Sequence, residues 1–410
     1  MTAEERRAFG ARVAKFRRGR GMAQTDLARE IGRTASWVSQ VERGVQPVVR
    51  LDVLQLLAEG LGVSVQLLQP DAPLQQEEAV DQASESNDLD AARLLISGHP
   101  ALGALLGGHI GRAPKVAELT HAVDEVWALT HASRFAELSA SLEGVLGDLE
   151  VAARTTKGSD QRAVQKLLSQ TYQALSAAFV RQDEADAAWV AADRAVRAAE
   201  MSGEPLAVGA GIFRLAQAFV RLKRYDQAEH AAATAVSALE SHTAGEAVPE
   251  ALSVLGALHL ALALVCARAG RRVDARAHLD RARAVAQRLG EDRNDFNLEF
   301  GPTNVEVQAV STAVELGDAG EAIDLGRSVD TAHLSTERRS RLLMDLGRAY
   351  TQRRQIGEAL DCLLKAEELA PETVRSHVAA RASIRELVLI AGRTAPAELL
   401  SLAERADATA

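Results

Sequence analysis

Aromatic residues are scarce in this chain, with eight Phe, three Tyr and three Trp among 410 residues, too few for the aromatic-rich strands of a β-sandwich or barrel. Cysteine is scarcer. Cys266 and Cys362 each sit inside an apolar stretch and form no C-x-x-C pair, which excludes a disulfide framework and fits packing in a reducing compartment. The ten histidines include no H-x-x-x-H pair, and no G-x-G-x-x-G, Walker or G-x-S-x-G motif occurs, so no cofactor is expected and the chain is not expected to be an enzyme. The segment 103–111, GALLGGHIG, has the wrong spacing for phosphate binding and reads as a helix junction. No apolar run reaches the roughly 20 residues of a bilayer span. The longest uncharged run, 251–267, contains Ser253 and His259 and reads as a buried helix. The charged N-terminus lacks the apolar core of a secretory signal, so no membrane is involved and the protein is expected to be cytoplasmic.

What is present is mostly helix-forming. Hydrophobic residues make up 47% with Ala and Leu foremost, which predicts an all-α protein of more than one unit. The net charge of −9 is unevenly spread. Residues 1–70 hold 11 Lys and Arg against 7 Asp and Glu, a net of +4, and the remainder carries −13. No Lys or Arg falls between Arg50 and Arg93, and 70–90 carries seven acidic residues and two prolines. This composition predicts a basic head at 1–70, an acidic linker at 71–90 and an acidic helical body at 91–410. In the head, glycines punctuate five expected helices at about 4–18, 24–31, 35–43, 51–61 and 65–69.

The segment 24–44, QTDLAREIGRTASWVSQVERG, has the pattern of two helices crossing at a fixed angle. Ala28 is small where the second helix crosses, Gly32 permits a left-handed turn, Thr34 is a natural N-cap, and Leu27, Ile31, Val38 and Val41 form an apolar underside. That leaves Ala35, Ser36, Ser39 and Gln40 on the outer face of the second helix, with side chains suited to base edges in a major groove. Gln40 is the strongest candidate, since an amide bonds bidentately to adenine. Gln24 and Thr25 open the preceding helix, where the helix dipole favours phosphate. Arg43 and Arg50 flank the other side, and Arg17, Arg18 and Arg20 add non-specific charge.

These residues, with LDVLQLLAEGLGVSV after them, resemble the Cro/Xre-type helix-turn-helix domain over about 9–69. The resemblance implies base reading by Ala35, Ser36 and Gln40, and contact with the DNA backbone by Gln24, Trp37 and Arg43. Trp37 is bulkier than the small polar residue usual there, and packing within the domain or on a partner is the alternative. The loop 45–50 is longer than in many members.

In the body, Leu343-x2-Leu346-Gly347-x2-Tyr350-x8-Ala359-x6-Ala366-x4-Pro371 resembles a tetratricopeptide repeat. The resemblance implies paired helices that approach at Gly347 and Ala359, with Tyr350 in the crevice and Pro371 ending the unit. Weaker copies set Ala188, Ala228, Ala275 and Ala322 against Ala359, and Phe179, Phe219, Cys266 and Ala313 against Tyr350. Residues 88–160 and 376–405 are expected to add further helix pairs. Such arrays carry ligands on a concave face. Three of the four asparagines, Asn294, Asn297 and Asn304, cluster near Phe300, and Asn294, Asn297, Phe300 and Asn304 are the candidate ligand residues. The alternative is an inter-repeat loop whose asparagines cap helices and whose phenylalanines enter the core.

Together the two resemblances imply a sequence-specific DNA-binding transcriptional regulator. It is expected to act as a homodimer on double-stranded DNA with an inverted-repeat operator, controlled by a peptide or small molecule in the TPR-like body. The alternative is a TPR-like interaction scaffold regulated by a protein partner.

Overall fold

The computed structural model describes residues 3–46, 48, 51–61, 63, 87–99, 102, 115–243, 245, 247–332 and 334–409. The expected helix at 65–69, most of the acidic linker, the 103–111 segment, Arg50 and part of the 45–50 loop lie outside them. Among the described residues the chain is all-α, and it divides into two units, Met1–Ser84 and Glu85–Ala410.

The first unit contains α1 (Ala3–Gly19), α2 (Gln24–Glu30), α3 (Ala35–Glu42) and α4 (Leu51–Leu61). Its core is the apolar underside expected from the sequence: Leu27, Ala28, Ile31, Val38 and Val41 pack with Phe9 and Val13 of α1 and Leu54 and Leu57 of α4. Gly32 takes φ +62° in the turn between α2 and α3, and Thr34 caps α3 by accepting the Trp37 N–H at 3.2 Å.

The second unit opens with α5 (Asp90–Ser97) and continues as helical hairpins: α6 (Val116–His131) with α7 (Phe135–Thr155), α8 (Gly158–Gln182) with α9 (Ala185–Ser202), and α10 (Pro205–Arg221) with α11 (Tyr225–His242). Next come α12 (Pro249–Arg268) with α13 (Arg272–Leu289), α14 (Pro302–Glu315) with α15 (Ala319–Ser328), and α16 (Thr336–Gln352) with α17 (Ile356–Leu369). The short α18 (Pro371–Ser376) precedes a last pair, α19 (Val378–Ala391) and α20 (Ala397–Arg405).

Six of these hairpins share one turn. In each, a single residue adopts a left-handed conformation: Ser133, Asp183, Lys223, Gly270, Gly317 and Arg354, with φ between +55° and +76°. The next N–H then closes a bond to the carbonyl five residues back, as from Arg224 to Phe219 at 2.9 Å and from Gln355 to Tyr350 at 3.0 Å. This is the left-handed cap that satisfies the terminal carbonyls of a helix. The fourth residue of the second helix is fully buried every time: Leu138, Ala188, Ala228, Ala275, Ala322 and Ala359. Five of those six are the alanines aligned from the sequence. At Gly347 a Cβ would stand 3.0 Å from the Leu363 side chain, so α16 and α17 approach closely there and a larger residue would press on Leu363.

The first helices of successive pairs also pack on one another, from α6 through α8, α10, α12, α14 and α16 to α19, and so build a continuous inner wall. Helix α12 is the one described helix long and apolar enough to span a bilayer, but it is enclosed by its neighbours with 89% of the apolar window buried. Cys266 and Cys362 are buried free thiols, and burial raises both pKa values, that of Cys362 to about 11. The inner wall closes on itself. Asn87, within the segment expected as linker, accepts the Phe135 and Ala136 N–H groups at the start of α7 (2.6 and 3.0 Å) and donates to Glu372 of α18 at 3.0 Å. Ser133 and Thr373 share a buried hydrogen bond of 3.0 Å across 240 positions.

Candidate DNA interface and ligand cavity

Helix α3 is held by its buried side, Val38 and Val41, and by its cap. Its other side carries Ser36, which is exposed, and Ala35, Ser39 and Gln40, which are partly exposed. The side chains of Ser36, Ser39 and Gln40 form no hydrogen bond with the described residues, which leaves their donors and acceptors for another molecule. Gln40 carries the C-terminal end of the helix through its carbonyl, which accepts from Val45 and Gln46.

Trp37 is half-buried against the domain core, with the Arg33 guanidinium 5.6 Å above its ring. Arg43 is exposed and bends back to the Ser39 carbonyl at 3.3 Å. Thr25 is exposed, and the Gln24 amide donates to Glu42 at 2.7 Å.

Arg17 departs from its expected role as free positive charge. It is buried and forks onto Glu42 at 2.5 and 3.0 Å while donating to the Met22 carbonyl at 2.6 Å, so it ties α1 to α3 rather than meeting phosphate. Burial alone would raise the Glu42 pKa, but the hydrogen bonds from Arg17 and Gln24 outweigh it and hold the carboxyl below its ordinary value.

The inner wall of the second unit lines a cavity of about 100 Å³. Trp127 and His131 of α6, Arg181 of α8, Phe213, Arg214 and Gln217 of α10, and Leu260 and Leu264 of α12 line it, with Arg338 and Arg341 of α16 opposite. It runs on into a recess whose charged lining includes Arg221, Arg268, Arg348, Glu315 and Asp345, with His377 beside them.

The 290–304 loop forms one edge. It is braced by a bridge between Arg293 and Phe300, by Arg293 forking onto Asp295, and by Ser253 donating to Asp295 at 2.6 Å. Phe296, Asn297 and Glu299 all adopt positive φ. Of the four expected ligand residues, Asn297 and Asn304 line the cavity. The other two do not line it. Asn294 turns into its own loop, accepting the Glu299 N–H at 3.2 Å and donating to Asn297 at 3.4 Å. Phe300 is fully buried against Gly256, where a Cβ would stand 1.9 Å from its ring, so it anchors the loop in the core.

Arginines dominate the cavity. Arg181 pairs with Glu337 at 2.5 Å, and Arg338 with Glu299 at 2.6 Å. Arg214 differs. Its guanidinium sits 5.4 Å from the Trp127 ring and 5.2 Å from that of Phe213. It donates to the Asn297 carbonyl at 2.7 Å and to Gln217 at 3.2 Å, and it makes no ion pair among the described residues. Burial first, and the charge of Arg181 second, push its pKa down to about 10, which still leaves it protonated at neutral pH. Burial also lowers the His131 pKa, so that imidazole is neutral at pH 7. Sequence reasoning missed the Arg214 cluster because two of its partners, Trp127 and Asn297, are distant in the chain, 83 positions apart in the case of Asn297.

Residues 8–70 match a helix-turn-helix domain family, so the first unit is a helix-turn-helix domain. No curated protein matches the chain. Among solved structures, the chain is similar to that of Bacillus thuringiensis PlcR in complex with the peptide PapR7 and DNA, at 13% identity and a TM-score of 0.34 over 89% of this chain and 96% of that one.

Proposed function

We propose that this chain is a cytoplasmic, sequence-specific DNA-binding transcriptional regulator whose helical array receives a signal, a peptide or small molecule. The observation that carries the reading is helix α3 of a helix-turn-helix domain, held from beneath and presenting unengaged Ser36, Ser39 and Gln40 side chains on its free side. In this reading Gln40, with Ala35, Ser36 and Ser39, meets base edges, while Gln24, Thr25, Trp37, Arg43 and Arg50 meet the backbone. A homodimer sets two such helices about 34 Å apart on an inverted repeat. A ligand in the cavity shifts the population of array conformations and with it the spacing of the heads.

Selection of bound fragments from a genomic pool by the purified full chain tests the reading. Recovery of a shared inverted repeat is the expected result. Weak binding without a motif, erased by moderate salt, contradicts it, as does a strict monomer at micromolar concentration with and without DNA.

A further inference from the structure

Two buried groups at the cavity can only donate hydrogen bonds, and neither donor has a partner among the described residues: Nε of Arg214 and Nε1 of Trp127. Arg214 is 7% exposed and Trp127 6%, and both line the same space. Of the five guanidinium donors of Arg214, the Asn297 carbonyl and Gln217 occupy two. The surrounding charge has the matching sign. At this end of the cavity Arg181, Arg214, Arg338 and Arg341 face Glu299 and Glu337, an excess of two positive charges.

An arginine buried without a carboxylate is costly to keep. The aromatic faces of Trp127 and Phe213 offset only part of that cost. Alongside the polar groups the wall carries an apolar stretch of Phe213, Leu260 and Leu264.

We propose that this cavity binds a small amphipathic anion, a carboxylate or phosphate on an apolar body, with Arg214 as the anion anchor and Trp127 Nε1 donating beside it. The assignment rests on the reading of the array as a signal receiver and gives the signal its chemical class. A planar carboxylate suits the fork formed by Nε and the outer donors of one guanidinium. Asn297 acts through its backbone, holding the guanidinium in place.

Calorimetric titration of the full chain tests this with matched probes on two bodies: phenylacetate, phenyl phosphate and phenylacetamide, then octanoate, octyl phosphate and octanamide. At least one anion is expected to bind tenfold or more tightly than the amide on the same body, and the better head group decides between carboxylate and phosphate. Arg214→Met should abolish that preference, Arg214→Lys should keep part of it, and Trp127→Phe should weaken it several-fold. Should a variant fail to fold, the anion-to-amide ratio on the unaltered protein still decides. Equal binding of anion and amide, no binding of any of the four anions at millimolar concentration, or an anion preference that survives Arg214→Met overturns the assignment. Fragment selection by the same preparation separates the two readings, because a chain that selects its operator yet shows no anion preference loses only the ligand assignment.

Discussion

Arg17 and Glu42 show how far a residue's neighbours decide its role. Their side chains are 9% and 6% exposed, and an arginine that composition alone adds to a DNA-facing patch instead clamps α1 onto α3. Glu42→Gln strands the Arg17 charge and should destabilise the helix-turn-helix domain by about 3–5 kcal/mol, read as an early unfolding transition by Trp37 fluorescence. Because the folded pKa of Glu42 is depressed, its contribution is present at neutral pH and is lost as pH falls through the carboxylate range. Asp345 has the opposite sign. Burial raises its pKa to about 6, against the pull of Arg348 and Arg341. Its stabilising effect is therefore complete only below the unfolded-state value and is lost as pH rises through 6. Asp345→Asn should raise the melting temperature at pH 8, with the difference shrinking towards pH 4, and an unchanged difference across that range contradicts the assignment.

At the scale of elements, the parts of the fold legible in the sequence are those fixed by near neighbours. The cap at Thr34, the turn at Gly32 and the underside at Val38 and Val41 are set within a few positions, and the alanines at 188, 228, 275, 322 and 359 recur because each hairpin repeats the same crossing. The shared turn was hidden. Only Gly270 and Gly317 announce its left-handed residue, and Ser133, Asp183, Lys223 and Arg354 take the same conformation with side chains that disfavour it. Replacing exposed Lys223 by glycine should therefore stabilise the array by about 0.5–1 kcal/mol, whereas Ala228→Leu, which forces volume into a fully buried position of α11, should cost about 1–3 kcal/mol. Calorimetric melting of the two variants checks both signs.

At the scale of the whole molecule, a basic helix-turn-helix domain and an acidic helical array were legible from charge and periodicity, because both properties sum over many residues. The cavity was not. Closing the inner wall needs Ser133 against Thr373 and Asn87 against Glu372, and the Arg214 cluster needs Trp127 and Asn297 from other parts of the array, all of them pairings that no local pattern encodes. Of the asparagine cluster, Asn297 and Asn304 stand at one edge of the cavity, while the Phe300 side chain enters the core and that of Asn294 bonds within its own loop. The central claim, that α3 reads DNA sequence, is tested most directly by comparing wild type, Gln40→Ala and Arg43→Ala on the selected operator and on scrambled DNA across a salt series. The account predicts that Gln40→Ala loses about 1–3 kcal/mol on the operator and nothing on scrambled DNA, and that Arg43→Ala weakens both alike and lowers the salt slope by about one. Equal losses on both DNAs for Gln40→Ala, or none on either, would contradict it.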